Sequence, residues 1–143
     1  VLFRSVMLNP RARKSGPLSD PAILVVEDER LIQWSLRERL EQDGYHVVLA
    51  ETGKQALDRF QEPVRLVLLD LKLPDTSGLA LLKRFKKLQP ACQVILMTAY
   101  GTPEIAREAM DHGVYQVVDK PFRLDDMAHL VDEALCSDGG SSN

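Results

Sequence analysis

Cysteine is scarce in this chain of 143 residues: Cys92 and Cys136 are too few for a disulfide framework and too far apart for a Cys-x-x-Cys metal or redox motif. Both read as ordinary thiols of a reducing cytoplasm. Aromatic residues make up 6% of the chain, and no uninterrupted apolar run exceeds five residues, the longest being Ala22–Val26. A membrane-spanning helix needs ~18 or more, so none is expected, and Val1–Val6 lacks the long apolar region of a signal peptide. An excess of one sign of charge is missing too: 18 Lys plus Arg face 21 Asp plus Glu, for a net charge of −3. Without a global positive field, direct nucleic-acid or membrane binding by this segment is not expected. No Gly-x-Gly-x-x-Gly fingerprint follows the first apolar run. Thr52-Gly53-Lys54-Gln55 lacks both the upstream glycine and the Ser/Thr after lysine that a P-loop requires, and reads as a helix start. His46, His112 and His129 have no metal-ligand spacing.

What is present suits one globular domain. Hydrophobic residues make up 45% and charged residues 27%, and a chain of this size buries roughly two-thirds of its unfolded surface without disulfides or structural metal. Residues 1–20 carry Pro10, Gly16, Pro17 and a small basic cluster, Arg11, Arg13 and Lys14, and read as a flexible leader. Its first six residues, ahead of the internal Met7, are set aside as foreign or read-through sequence. Residues 137–143 read as a Gly/Ser-rich tail or the start of a linker. The domain itself is expected over residues 21–136.

Within it, short β-branched or leucine-rich runs recur: Ile23–Val26, Val47–Ala50, Leu66–Leu69, Val94–Met97 and Val114–Val118. Each is long enough for one buried strand. Helical periodicity lies between them, as in Ile32, Leu36 and Leu40 or Leu79, Leu82 and Phe85, and Gly44, Thr52 and Thr102-Pro103-Glu104 supply helix ends. Five βα repeats predict a doubly wound α/β domain with a parallel five-stranded sheet.

In such sheets function gathers at the carboxyl ends of the strands. Here four of the five apolar runs end in polar residues: Glu27-Asp28-Glu29, Asp70, Thr98 and Asp119-Lys120. Singly each has a plain structural reading: Asp28 as a helix cap, Asp70 as a turn residue, Thr98 as partner to a free amide, Lys120 as the mate of any nearby acid. Together, Glu27, Asp28 and Asp70 crowd three carboxylates, and two like charges ~4 Å apart repel by about 4 kcal/mol at an effective dielectric near 20. A hard cation such as Mg2+ relieves this while leaving room for phosphate oxygens. Lys120 adds a mobile positive charge. The set suits phosphoryl transfer with Asp70 as nucleophile and Thr98 as a donor to the phosphoryl group.

These residues resemble bacterial two-component response-regulator receiver domains. The matching pieces are Ile23-Leu24-Val25-Val26-Glu27-Asp28-Glu29, Leu69-Asp70-Leu71-Lys72-Leu73-Pro74 with Gly78, Met97-Thr98-Ala99, and Asp119-Lys120-Pro121-Phe122. The resemblance implies a flavodoxin-like (βα)5 receiver fold and phosphorylation of Asp70 by a sensor histidine kinase or a small phosphodonor. It assigns Mg2+ to Asp28, Asp70 and the backbone carbonyl of Lys72, with Glu27 helping through water, and the phosphoryl group to Thr98 and Lys120, the Lys120-Pro121 bond being cis. It also implies a cytoplasmic, phospho-accepting regulatory domain rather than an enzyme, whose switch surface of fourth helix, fifth strand and fifth helix controls an output domain or partner protein, with a phosphorylation-dependent homodimer among the expected states. Tyr100-Gly101-Thr102 and Glu108-Ala109-Met110 sharpen the likeness toward receivers of AAA+ (sigma-54-dependent) transcriptional activators.

One departure stands out: Val117 occupies the place, three before the lysine, where most receivers carry an aromatic residue. Tyr115, two positions earlier, is expected on the same strand face. Trp34 reads either as core or as an exposed contact point. Two other classes compete. An aspartate-nucleophile phosphatase would need a second Asp two positions after Asp70, where Lys72 stands. A nucleotide or flavin module would need a glycine fingerprint where Glu27-Asp28 repel phosphate.

Overall fold

The computed structural model describes residues 22–140, with side chains through Cys136; the expected leader at 1–20 and residues 141–143 lie outside the described residues. Five strands alternate with five helices: β1 (Ala22–Val26), α1 (Arg30–Gln42), β2 (Val47–Ala50), α2 (Gly53–Arg59), β3 (Val64–Asp70), α3 (Gly78–Leu88), β4 (Gln93–Thr98), α4 (Pro103–Asp111), β5 (Gln116–Asp119) and α5 (Leu124–Gly140). All strand pairs are parallel and the sheet order is β2-β1-β3-β4-β5. Strand order therefore reverses between β1 and β3, which brings the exits of these two strands side by side.

Local chemistry explains the boundaries. Thr52, Ser77 and Thr102 cap α2, α3 and α4, each side-chain oxygen accepting an N–H from three residues on, and Pro103 opens α4 where a missing amide hydrogen costs nothing. Gly44 leaves α1 with φ of +92°, a conformation open to glycine. Leu36 and Leu40 bury the inner stripe of α1, with Ile32 partly buried beside them.

Side chains of the central strands alternate between two cores, as the pleat demands. One core joins Leu24, Val67, Leu69, Val94 and Leu96 to α2, α3 and α4, with the Phe60 and Phe85 rings 4.4 Å apart. The other joins Ile23, Val25, Leu66, Leu68, Ile95 and Met97 to α1 and α5. Each fully buried leucine contributes about 2 kcal/mol from water exclusion, so the sheet centre is the rigid platform for the strand exits.

Tyr115 differs from expectation. It packs against the α1/α5 core, whereas Val117 packs against the α2/α3/α4 core. The reason is that β5 begins only at Gln116: Val114 and Tyr115 precede the pleated segment, so period-two counting does not carry across. At the other end, the α5 backbone runs past Cys136 to Gly140, into the stretch expected as a Gly/Ser tail. Trp34 is half exposed on α1.

Candidate functional site

The exits of β1 and β3 place Glu27, Asp28 and Asp70 together: one carboxylate oxygen from each lies within 4.8 Å of the others. Glu27 is fully buried, Asp70 is nearly so, and Asp28 is exposed at the rim. Lys120, at the exit of β5, reaches over them with Nζ 2.8 Å from Glu27 Oε1, 3.3 Å from Asp70 Oδ2 and 3.8 Å from Glu29 Oε1. The Lys120-Pro121 peptide is cis, as expected.

Burial pushes the Glu27 carboxyl up to about 7, with the charge of Asp70 acting in the same direction; Lys120 and the Glu29 N–H, which donates to Glu27 Oε2 at 3.0 Å, oppose it. For Lys120 burial works against the charge, but Glu27 and Asp70 outweigh it and raise the ammonium above its ordinary value. Among the described residues, Glu27 Oε1 is met only by the Lys120 ammonium, 2.8 Å away. A buried carboxylate oxygen with spare acceptor capacity, beside two further carboxylates, is a hard oxygen donor set of the kind that suits Mg2+.

The loop after Asp70 is shaped by backbone contacts. Lys72 N–H points to Asp70 Oδ1 at 3.4 Å, and Lys72 bridges Ser77 in an antiparallel pair while its side chain is exposed. Gly78 donates its N–H to the Leu71 carbonyl at 2.6 Å, and a Cβ there would lie 2.5 Å from the Asp70 carbonyl oxygen. Only glycine fits this approach. Asp75 turns away from the carboxylates and accepts the Gly53 and Lys54 N–H groups at 2.8 and 3.0 Å, which hold its pKa below the ordinary aspartate value.

Thr98 ends β4, one residue beyond the register partner of Asp70, and is buried. Its hydroxyl accepts the Tyr100 N–H at 3.0 Å, while the Tyr100 side chain is 81% exposed. Thus Glu27, Asp28, Asp70 and Lys120 meet in one cluster, with Thr98 and Lys72 on adjoining exits. Sequence reasoning missed Gln33. This buried side chain donates from Nε2 to the carbonyls of Glu27 (3.0 Å) and Ala50 (3.2 Å), pinning the ends of β1 and β2 to α1. Its signal was faint: a polar residue next to the Ile32-Leu36-Leu40 stripe.

A doubly wound sheet with this acidic exit cluster is the architecture of a signalling receiver, and the family model for the response regulator receiver domain matches residues 23–132. The chain belongs to that family of regulatory domains, which serves two-component phosphorelay signalling. It is 40% identical over 114 residues to the transcriptional regulatory protein ZraR of Escherichia coli K12, covering 79% of this chain and 26% of that protein. It is 38% identical to the sporulation initiation phosphotransferase F of Bacillus subtilis, covering 79% of this chain and 92% of that protein. Among solved structures, a CheY-like receiver domain protein of Methanospirillum hungatei aligns with a TM-score of 0.82 at 31% identity, covering 86% of this chain and 99% of the other. The chain spans about a quarter of the length of the transcriptional regulator. No helix among the described residues is long and apolar enough to cross a membrane.

Proposed function

We propose that Asp70 accepts a phosphoryl group from a histidine kinase in a Mg2+-dependent reaction, and that the phosphorylated state is passed through α4, β5 and α5 to an output domain or partner protein in the cytoplasm. The observation that carries this reading is the three-carboxylate cluster with its buried Glu27 and the single lysine laid across it. Asp28, Asp70 and the Lys72 carbonyl would hold the ion, with Glu27 acting through water; bound there, Mg2+ supplies charge neutralisation for carboxylate and phosphoryl oxygens.

The chain's own residues do the rest. An Asp70 carboxylate oxygen attacks phosphorus, the P–N bond to the donor histidine breaks, and its electron pair returns to the imidazole. Lys120, already 3.3 Å from Asp70, pairs with the phosphoryl oxygens that replace the carboxylate charge. Thr98 turns its hydroxyl proton toward the same oxygens, and any movement of the side chain in doing so is felt by the Tyr100 N–H that its oxygen accepts, which links β4 to α4. A groove of about 470 Å³ beside Lys120, lined by Leu31, Ile32, Phe122 and Leu124, supports docking of a donor surface next to the acceptor. A homodimer formed on phosphorylation is one output this surface permits.

Labelling with acetyl phosphate tests the site. Near-stoichiometric phosphorylation is expected in Mg2+ and none in chelator, and Asp70→Asn abolishes it. Stoichiometric labelling of Asp70→Asn, or labelling indifferent to chelation, overturns the assignment.

A further inference from the structure

The chain is acidic overall, yet one groove of about 770 Å³ between α2 and α3 is rimmed by cations over an apolar floor of Leu57, Ala80 and Leu81. The helix α3 carries Lys83, Arg84, Lys86 and Lys87 and no acid. Two of these are committed internally: Lys83 pairs with Glu108 of α4 at 3.3 Å, and Lys86 Nζ donates to the Pro90 and Cys92 carbonyls at 3.0 and 2.9 Å. Arg84 and Lys87, and Lys54 on α2, also line the groove; all three are exposed and have no ion pair among the described residues. Three unpaired cations around a groove that exposes Ala80 and part of Leu57 mark a binding face more than a solubilising one.

We propose that this groove docks an acidic amphipathic helix of a partner protein, its apolar residues on Leu57 and Ala80 and its carboxylates on Lys54, Arg84 and Lys87. Two features favour a carboxylate-bearing helix over a phosphorylated small molecule. The free amides at the start of α2, Gly53 and Lys54 N–H, are already taken by Asp75, so no backbone cradle remains for a phosphate. The free cations also come from two helices, Lys54 on α2 and Arg84 and Lys87 one turn apart on α3, and so flank the groove in a way that suits carboxylates along one seated helix. This surface lies on the α2/α3 side, apart from the Lys120 groove and from α5, and the proposal does not depend on Asp70 chemistry.

The test uses the purified chain in chelator without phosphodonor and a fluorescein-labelled synthetic helix of about 14 residues, Glu and Asp on one face and Leu on the other. Saturable anisotropy binding is expected, weakening about tenfold between about 50 and about 300 mM salt, with amide shifts clustered on Lys54, Leu57, Arg84 and Lys87. The double variant Arg84→Glu/Lys87→Glu should weaken binding at least about tenfold, whereas Arg37→Glu on the opposite face leaves it unchanged. Circular dichroism checks that the variants fold, and a peptide with Gln and Asn in place of its acids repeats the comparison without altering the protein. Absence of saturable binding, shifts centred elsewhere, indifference to the double reversal, or displacement by a single-stranded oligonucleotide at equal concentration would each overturn the proposal.

Discussion

Gly78 opens α3 directly behind Asp70, and a methyl group added there would lie 2.5 Å from the Asp70 carbonyl oxygen, 2.8 Å from Leu71 Cα and 3.1 Å from the Asp70 carbonyl carbon. Two effects then compete in Gly78→Ala. Alanine lowers the entropy of the unfolded chain and favours helix, a gain of up to ~1 kcal/mol. Against it stand an overpacking cost of ~1–3 kcal/mol, because every close neighbour is backbone, and weakening of the Gly78 to Leu71 hydrogen bond, now 2.6 Å, by roughly 1 kcal/mol. The net expectation is destabilisation by about 1–3 kcal/mol, with a displaced Asp70 carbonyl and slower labelling by acetyl phosphate. Gly53→Ala is the internal comparison. A Cβ there meets Thr76 Cγ2 at 2.5 Å, Asp75 Oδ1 at 3.3 Å and Leu81 Cδ1 at 3.4 Å, all side-chain atoms that can turn aside. Urea unfolding of both variants, with unchanged denaturant slope, measures the difference directly. Equal or higher stability of Gly78→Ala, or a larger loss in Gly53→Ala, would refute the steric reasoning.

Further outcomes follow from the site. In chelator, Glu27 binds its proton more tightly folded (about 7) than at its ordinary value of 4.5, so its contribution is present below ~4.5 and lost as pH rises through ~7, a fall of order 3 kcal/mol; Glu27→Gln should flatten that slope, and a flat wild-type profile would count against it. On the expectation that the exposed Tyr100 ring, two residues beyond Thr98, hinders the hydrolytic water, Tyr100→Ala should speed acyl-phosphate decay a few-fold; unchanged or slower decay contradicts it. With Val117 at the usual aromatic position, beryllofluoride should still shift amides across α4 and β5 through Thr98; shifts confined to the carboxylate pocket would sink that coupling.

Much of this was legible because apolar runs stop abruptly at acids. Leu66–Leu69 ending in Asp70, and Ile23–Val26 ending in Glu27, mark both a strand and its exit. Tyr115 was misplaced because pleat counting holds only inside a strand, and whether β5 starts at Val114 or Gln116 depends on its pairing with β4. Gln33 was illegible for a related reason: its two carbonyl acceptors are six and seventeen residues away in sequence. Asp75 carried no signal in the sequence, because its role as acceptor for the start of α2 exists only once the chain has folded. Periodicity reports burial; it does not report which distant backbone group a polar side chain will find.

The loop from Leu71 to Ser77 is tethered at both ends and in the middle. Gly78 holds one end to Leu71, Lys72 bridges Ser77, and Asp75 grips the start of a neighbouring helix. Loops usually absorb insertions and deletions with little loss, but this one is fastened at Leu71, Lys72, Asp75 and Ser77, so a residue added or removed between them would pull at least one of these contacts out of register.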